Sequence, residues 1–138
     1  MPSLGGMAIE QQAHVRIARP SNDLAAAERF WVDGLGLSVI YSKAEDDHAL
    51  LMVGRPDAGW HLELVQNAAD PVQPRPTEED LLVVYLDGPV PDELVERLVA
   101  AGGQVVPSRN PYWDTWGVTV ADPDSYRLVL CTRAWSNH

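Results

Sequence analysis

The sequence predicts an α+β fold: two β-α-β-β-β modules whose eight strands form a curved, mixed sheet around a cavity, with a helix outside each half. Three observations carry this. The same order of hydrophobic patterns occurs twice along the chain. A shift of about 67 residues superposes the two runs, laying Gly36 on Gly103 and His14 on Leu81. A proline-rich, acidic stretch, residues 67–80, separates them and reads as a linker.

The first module spans about residues 13–66. Residues 1–12, with Gly5, Gly6 and Glu10-Gln11-Gln12, read as a flexible lead-in. His14 to Arg19 alternates polar and apolar up to Pro20 and predicts a strand, with Arg16 on one face and Val15 and Ile17 on the other. Ser21-Asn22-Asp23 supplies cap-type side chains before a helix whose stripe is Leu24, Ala27, Trp31 and Val32. Gly34 ends that helix and Gly36 supports the turn. Strands follow at Leu37–Tyr41, His48–Val53 and Trp60–Gln66.

The second module spans about residues 81–132, which makes residues 13–133 one domain. Leu81–Leu86 reads as a strand. Pro91-Asp92-Glu93 opens a helix with the stripe Leu94, Leu98 and Val99, closed by Gly102-Gly103. Gln104–Val106, Gly117–Ala121 and Tyr126–Thr132 are strands. The last two are joined by the turn Asp122-Pro123-Asp124-Ser125. Residues 110–116 read as a loop.

Composition narrows the function classes. The 138 residues fit one domain, and Lys plus Arg total 10 against 20 for Asp plus Glu, a net charge of −10. Such a surface repels phosphate backbones and anionic membranes, so neither nucleic acid nor a membrane is an expected partner. A cationic ligand is favoured. The single cysteine, Cys131, lies in an apolar run, as a buried inert thiol does, and forms no disulfide within the chain. No apolar stretch reaches the roughly 18 residues of a membrane span, and the start shows no signal-peptide pattern. The expected compartment is the cytoplasm.

His14 to Pro20, followed by an acid-capped helix ending Gly34-Leu35-Gly36-Leu37, resembles the opening module of the vicinal oxygen chelate group, the fold of glyoxalase I, extradiol dioxygenases and the bleomycin-resistance proteins. Asp122 to Leu130 resembles the closing hairpin of that group, with Ser125 where glycine is usual. The resemblance covers about residues 13–133. It implies two modules, and it implies a homodimer, because the group builds cavities at or near twofold interfaces. It does not give the reaction.

In metal-dependent members, four positions on the first, fourth, fifth and eighth strands ligate one divalent ion. The resemblance places these at His14, Glu63, Leu81 and Val129. Imidazole and carboxylate suit a metal; Leu81 and Val129 offer no donor. Tight metal is therefore not expected. His61 lies two residues from Glu63, on the same face of its strand. His14, His61 and Glu63 remain an alternative set for Fe(II) or Zn(II); otherwise they hydrogen-bond one another.

Five Trp stand in the chain, and Tyr112, Trp113 and Trp116 share one short segment. These three either stack on a flat or cationic ligand or seal the core or an interface. Two functions follow. One is a small-molecule-binding protein, holding a planar or cationic ligand in a largely metal-free pocket with His14, Glu63, Leu81, Tyr112, Trp113, Trp116 and Val129. The other is a metal-dependent lyase, isomerase or epimerase, with Glu63 or His61 moving a proton.

Overall fold

A computed structural model describes residues 8–138. The first part of the lead-in, residues 1–7, lies outside the described residues; residues 8–12 are exposed and form no helix or strand. The elements run β1 (Val15–Pro20), α1 (Leu24–Glu28), β2 (Ser38–Ala44), β3 (His48–Gly54), β4 (Trp60–Asn67), β5 (Leu81–Tyr85), α2 (Asp92–Ala100), β6 (Gln104–Val106), α3 (Pro111–Trp116), β7 (Gly117–Ala121) and β8 (Arg127–Cys131). The expected β-α-β-β-β order is present twice.

The strands form two mixed sheets of four, ordered β1-β4-β3-β2 and β5-β8-β7-β6. In each, the first strand lies parallel to the fourth and the remaining pairs are antiparallel. Among the described residues no ladder joins the two sheets, so the eight strands do not close into one surface. The physical reason is that the modules meet through their helices. A side chain at Gly34 would come within 3.0 Å of Leu98, and one at Gly103 within 2.7 Å of Phe30. Two glycines thus let the first helix and the second module approach to backbone distance.

Asp23 caps α1 by accepting from the Ala26 amide at 3.1 Å. The helix runs on into a wider, π-helical turn (Arg29–Gly34), where the Leu35 amide reaches the Phe30 carbonyl at 2.9 Å. That turn buries Phe30 and Trp31 completely. Gly36, at φ +91°, then reverses the chain as predicted. In α2 the stripe differs by one position from the sequence reading. Leu94, Val95 and Leu98 pack on the core, whereas Val99 stays 47% exposed. One core holds Leu51, Val53, Leu62 and Leu64 of the first sheet with Val120, Leu128 and Leu130 of the second.

The closing hairpin ties the modules together. Ser21 Oγ donates to Asp124 Oδ2 at 2.5 Å, and the Asn22 amide donates to its other oxygen at 2.9 Å. Trp31 Nε1 donates to Asp122 at 3.1 Å, and the Tyr126 hydroxyl donates to the Pro20 carbonyl at 3.1 Å. Ser125 sits at φ +73°, a left-handed conformation that explains the usual glycine there.

The segment 110–116, read as a loop, contains a short helix. Asn110 accepts from the Tyr112 amide at 3.0 Å and Pro111 occupies the first turn. Asn followed by Pro is a helix-start signal that the local density of aromatics concealed. No helix among the described residues is long and apolar enough to cross a membrane.

Candidate functional site

Alternation along a strand sorts each sheet into two faces. In β4, Leu62 and Leu64 enter the core, so His61 and Glu63 project from the other face. The parallel register sets Arg16 beside His61 and Ala18 beside Glu63. His14, directly before β1, projects to the same side.

These residues form a closed polar cluster. His14 Nε2 lies 2.6 Å from His61 Nδ1. Arg16 Nε donates to His61 Nε2 at 3.1 Å, and its terminal nitrogen lies 3.5 Å from Glu63 Oε2. A guanidinium only donates, so Nε2 of His61 is an acceptor. The proton of a neutral His61 then sits on Nδ1 and is donated to His14 Nε2. This tautomer is assigned from the hydrogen-bond network. Burial, followed by the nearby His14 and Arg16, holds His61 below the usual imidazole range, with Glu63 opposing the shift. His61 is therefore neutral near pH 7.

The donors of this cluster are turned toward one another. His14 and His61 point their facing nitrogens at each other, and a cationic side chain is paired with Glu63. Among the described residues no group of three His, Cys, Asp or Glu side chains is arranged to hold an ion. Arg16, which organises the cluster, was not singled out as a site residue. Its signal was its place two residues after His14, on the same strand face.

The second half of the site differs from the first. In β8, Leu128 and Leu130 enter the core, leaving Val129 and Cys131 on the opposite face. Val129 pairs with Val83 and with Thr119. It is fully buried, whereas Leu81, at the start of β5, is partly exposed. The segment leading into α3 covers this face: Ser108 Oγ lies 2.9 Å from Thr119 Oγ1. Leu81 and Val129 are thus apolar, as read, but only Leu81 reaches solvent.

The aromatics of α3 gather with two that the sequence reading passed over. Trp113 meets Tyr112 edge-on, ring centroids 5.0 Å apart, and Tyr85 at 6.5 Å. Trp135, 72% exposed, has its ring centroid 6.3 Å from that of Tyr85. The Arg133 guanidinium sits 4.4 Å above the Trp116 ring and so takes one of its faces. Tyr85 ends a strand and Trp135 follows the last one, so only folding brings them to α3.

Cavities of about 460 Å³, between α1 and strands β2 and β3, and about 400 Å³, beside the end of β1, reach neither His14 nor Glu63. The face bearing the polar cluster is left open. Tyr41 of β2, which the register places on this face through Met52 and Glu63, is 52% exposed.

Two βαβββ modules, each with its first strand parallel to its fourth, define a vicinal oxygen chelate protein. More particularly, this chain belongs to the YycE-like family. The YycE-like N-terminal domain matches residues 15–65 and the YycE-like C-terminal domain residues 79–132. Uncharacterized protein YycE of Bacillus subtilis (strain 168) is 38% identical over 122 residues, covering 87% of this chain and 88% of that protein. The crystal structure of a B. subtilis YycE protein of unknown function superposes with a TM-score of 0.79 at 35% identity, covering 92% of this chain and 94% of the other. TnmS3, an antibiotic-binding protein from Streptomyces sp. CB03234, shares the fold at 22% identity and a TM-score of 0.61, over 92% of this chain and 99% of its own. The fosfomycin resistance protein FosX of Mesorhizobium loti does so at 16% identity and 0.67, over 92% and 94%.

Proposed function

We propose that this chain is a cytoplasmic small-molecule-binding protein of the glyoxalase/bleomycin-resistance type, holding a planar or cationic organic ligand without a metal. The observation that carries this is the state of the two positions able to ligate. His14 is engaged by His61 and Glu63 by Arg16, while Leu81 and Val129 have no donor. An antibiotic-binding protein of the same fold, TnmS3, supports a small organic ligand. Tyr85, Tyr112, Trp113 and Trp135 supply stacking faces, and the net charge of −10 favours a cation over an anion there. Nothing in the geometry favours the lyase, isomerase or epimerase reading, which needs donors free to converge on an ion.

Tryptophan fluorescence tests the reading directly. A planar cation should quench emission more than its neutral analogue. Trp113→Ala should weaken binding by roughly 1–3 kcal/mol, the scale of stacking a flat ring on an aromatic side chain. Quenching that survives intact in Trp113→Ala would make α3 a structural cover only. Elemental analysis of protein purified without a metal column should show less than one equivalent of metal. One equivalent of zinc, nickel, manganese or iron that survives dialysis would overturn the metal-free reading and bring His14, His61 and Glu63 forward.

The open polar face supports a second part of the proposal, a homodimer in which another copy covers it. On that face Tyr41 of β2 stays exposed, and β1 beside the cluster is an edge strand with no neighbour on its outer side among the described residues, surface of the kind that marks an interface. Light scattering at micromolar concentration should give twice the chain mass. A monomer mass there would leave the site open to water and remove this part.

A further inference from the structure

Arg19, the last residue but one of β1, lies on the face opposite His14 and Arg16, so it has no part in the polar cluster. Its guanidinium is held by the fold. It lies over the Tyr126 ring, 4.6 Å from the centroid, and Tyr126 is itself anchored by its hydroxyl to the Pro20 carbonyl at 3.1 Å. Nη1 of Arg19 is shielded from solvent, yet it meets no hydrogen-bond acceptor among the described residues. A buried cationic donor left unpaired is costly, and folded proteins rarely keep one without a purpose.

Two cavities share Ala18, Arg19 and Pro20. One, of about 240 Å³, continues along Val65 and Val72. The other, of about 400 Å³, is lined further by Ile17, Arg75, Pro76, Asp80 and Tyr126. Arg75 comes from the linker and brings a second guanidinium to the same cleft. Asp80 is the one acid in its lining, and its carboxylate is already engaged: Oδ2 accepts from the Thr77 amide at 2.7 Å and from the Thr77 hydroxyl at 2.8 Å. Two of the ten basic side chains of a chain with net charge −10 therefore converge where the module junction and the linker meet.

We propose that this cleft is a binding site for a small organic oxyanion, a carboxylate or phosphate head held by Arg19 and Arg75 with an apolar body against Ile17, Pro20 and Pro76. The planar guanidinium is suited to such a head because its fork matches two oxygens at once. The prolines and Ile17 give the body a rigid apolar wall, and the Tyr126 contact pre-positions Arg19. The site is lined by none of His14, His61 and Glu63 and by none of the aromatics of α3. An anion here would bridge β1 and the linker, tightening the junction of the two modules.

The test titrates sodium benzoate, and separately inorganic phosphate, into the full chain at fixed ionic strength, read by calorimetry and by thermal melting. The expected result is saturable one-to-one binding of at least one probe, with a rise in melting temperature. Benzoate binding alone would identify a carboxylate head, phosphate binding alone a phosphate head. Arg75→Ala, an exposed change on the linker, should fold as the parent does and weaken binding about ten- to a hundredfold, the scale of losing a hydrogen bond to a charged group. Arg19→Lys keeps the charge but not the fork and should lose most of the affinity. Trp113→Ala should leave anion binding unchanged, which keeps this site distinct from the proposed stacking site. Failure of both probes to saturate by tens of millimolar would overturn the proposal. So would binding that is the same in Arg75→Ala and Arg19→Lys as in the parent.

Discussion

Trp31→Ala is expected to lower the free energy of unfolding by about 3–5 kcal/mol, the range for deleting a large aromatic from a packed core. Trp31 is fully buried in the π-helical turn after α1, edge-on to Phe30 with centroids 4.9 Å apart. Its loss leaves a cavity at the seam of the two modules, and dense packing lets such a cavity collapse only in part. It also removes the Nε1 bond to Asp122 at 3.1 Å, withdrawing one of the three donors to a buried carboxylate. Urea unfolding followed by circular dichroism measures the change. Trp31→Phe should retain much of the packing and lose the hydrogen bond, and so fall between. A loss under about 1 kcal/mol for Trp31→Ala, the scale of a change at an ordinary surface site, would mean that Trp31 does not hold the modules together.

Acidification is expected to stabilise the fold through Asp122. Burial, the largest influence, raises its carboxyl to about 6 from the ordinary 3.8; the Tyr126 and Asp124 amides and Trp31 Nε1 act against this, while the neighbouring Asp124 charge adds to it. The sign follows from comparing the two states. Below the ordinary value both folded and unfolded chains hold the proton, and the favourable contribution is complete. As pH rises toward about 6 the unfolded chain releases its proton first, so stability is lost, by up to about 1.4 kcal/mol per pH unit. Above about 6 both states are ionised and the loss levels off near 3 kcal/mol, about two pH units' worth. Unfolding free energies measured at steps from about pH 4 to about pH 8 should show this fall. The whole chain also gains as its net charge of −10 declines, so the contribution of Asp122 is read from Asp122→Asn, which cannot titrate. Parallel profiles for parent and Asp122→Asn would show that this carboxyl takes up its proton at the same pH in the folded and the unfolded chain.

Much of the fold was legible because each signal is local. Period-two runs marked β1 through β8 to within a few residues, and Ser21-Asn22-Asp23 announced α1. Gly36 and the Asp122–Ser125 turn punctuated the chain where the backbone takes positive φ. The duplicated order needed no tertiary information. The misreadings were also local. Val99 fell on the predicted stripe, but a second-module helix that packs on the first helix buries Val95 instead. The Asn110-Pro111 start of α3 was outweighed by the expectation that aromatic-rich stretches between strands are loops.

The candidate site was legible only in part. That His61 and Glu63 share a face follows from strand alternation alone, and so does the absence of donors at Leu81 and Val129. Which partners satisfy these groups did not follow. The pairing of His14 with His61, and of Arg16 with both His61 and Glu63, depends on the parallel register of β1 on β4, strands more than forty residues apart in sequence. The same holds for Tyr85 and Trp135 beside Trp113, and for Arg19 over Tyr126.

The amino-acid sequence by itself determined the elements, their repeated order, the faces of each strand and the charge of the surface, because these depend on side-chain chemistry and short-range periodicity. Only the tertiary structure decided that the modules join through their helices, that Val129 is buried beneath the α3 segment, and that Nη1 of Arg19 is left without an acceptor among the described residues. Those outcomes turn on which distant surfaces approach closely enough to exclude water, and no local pattern encodes that distance.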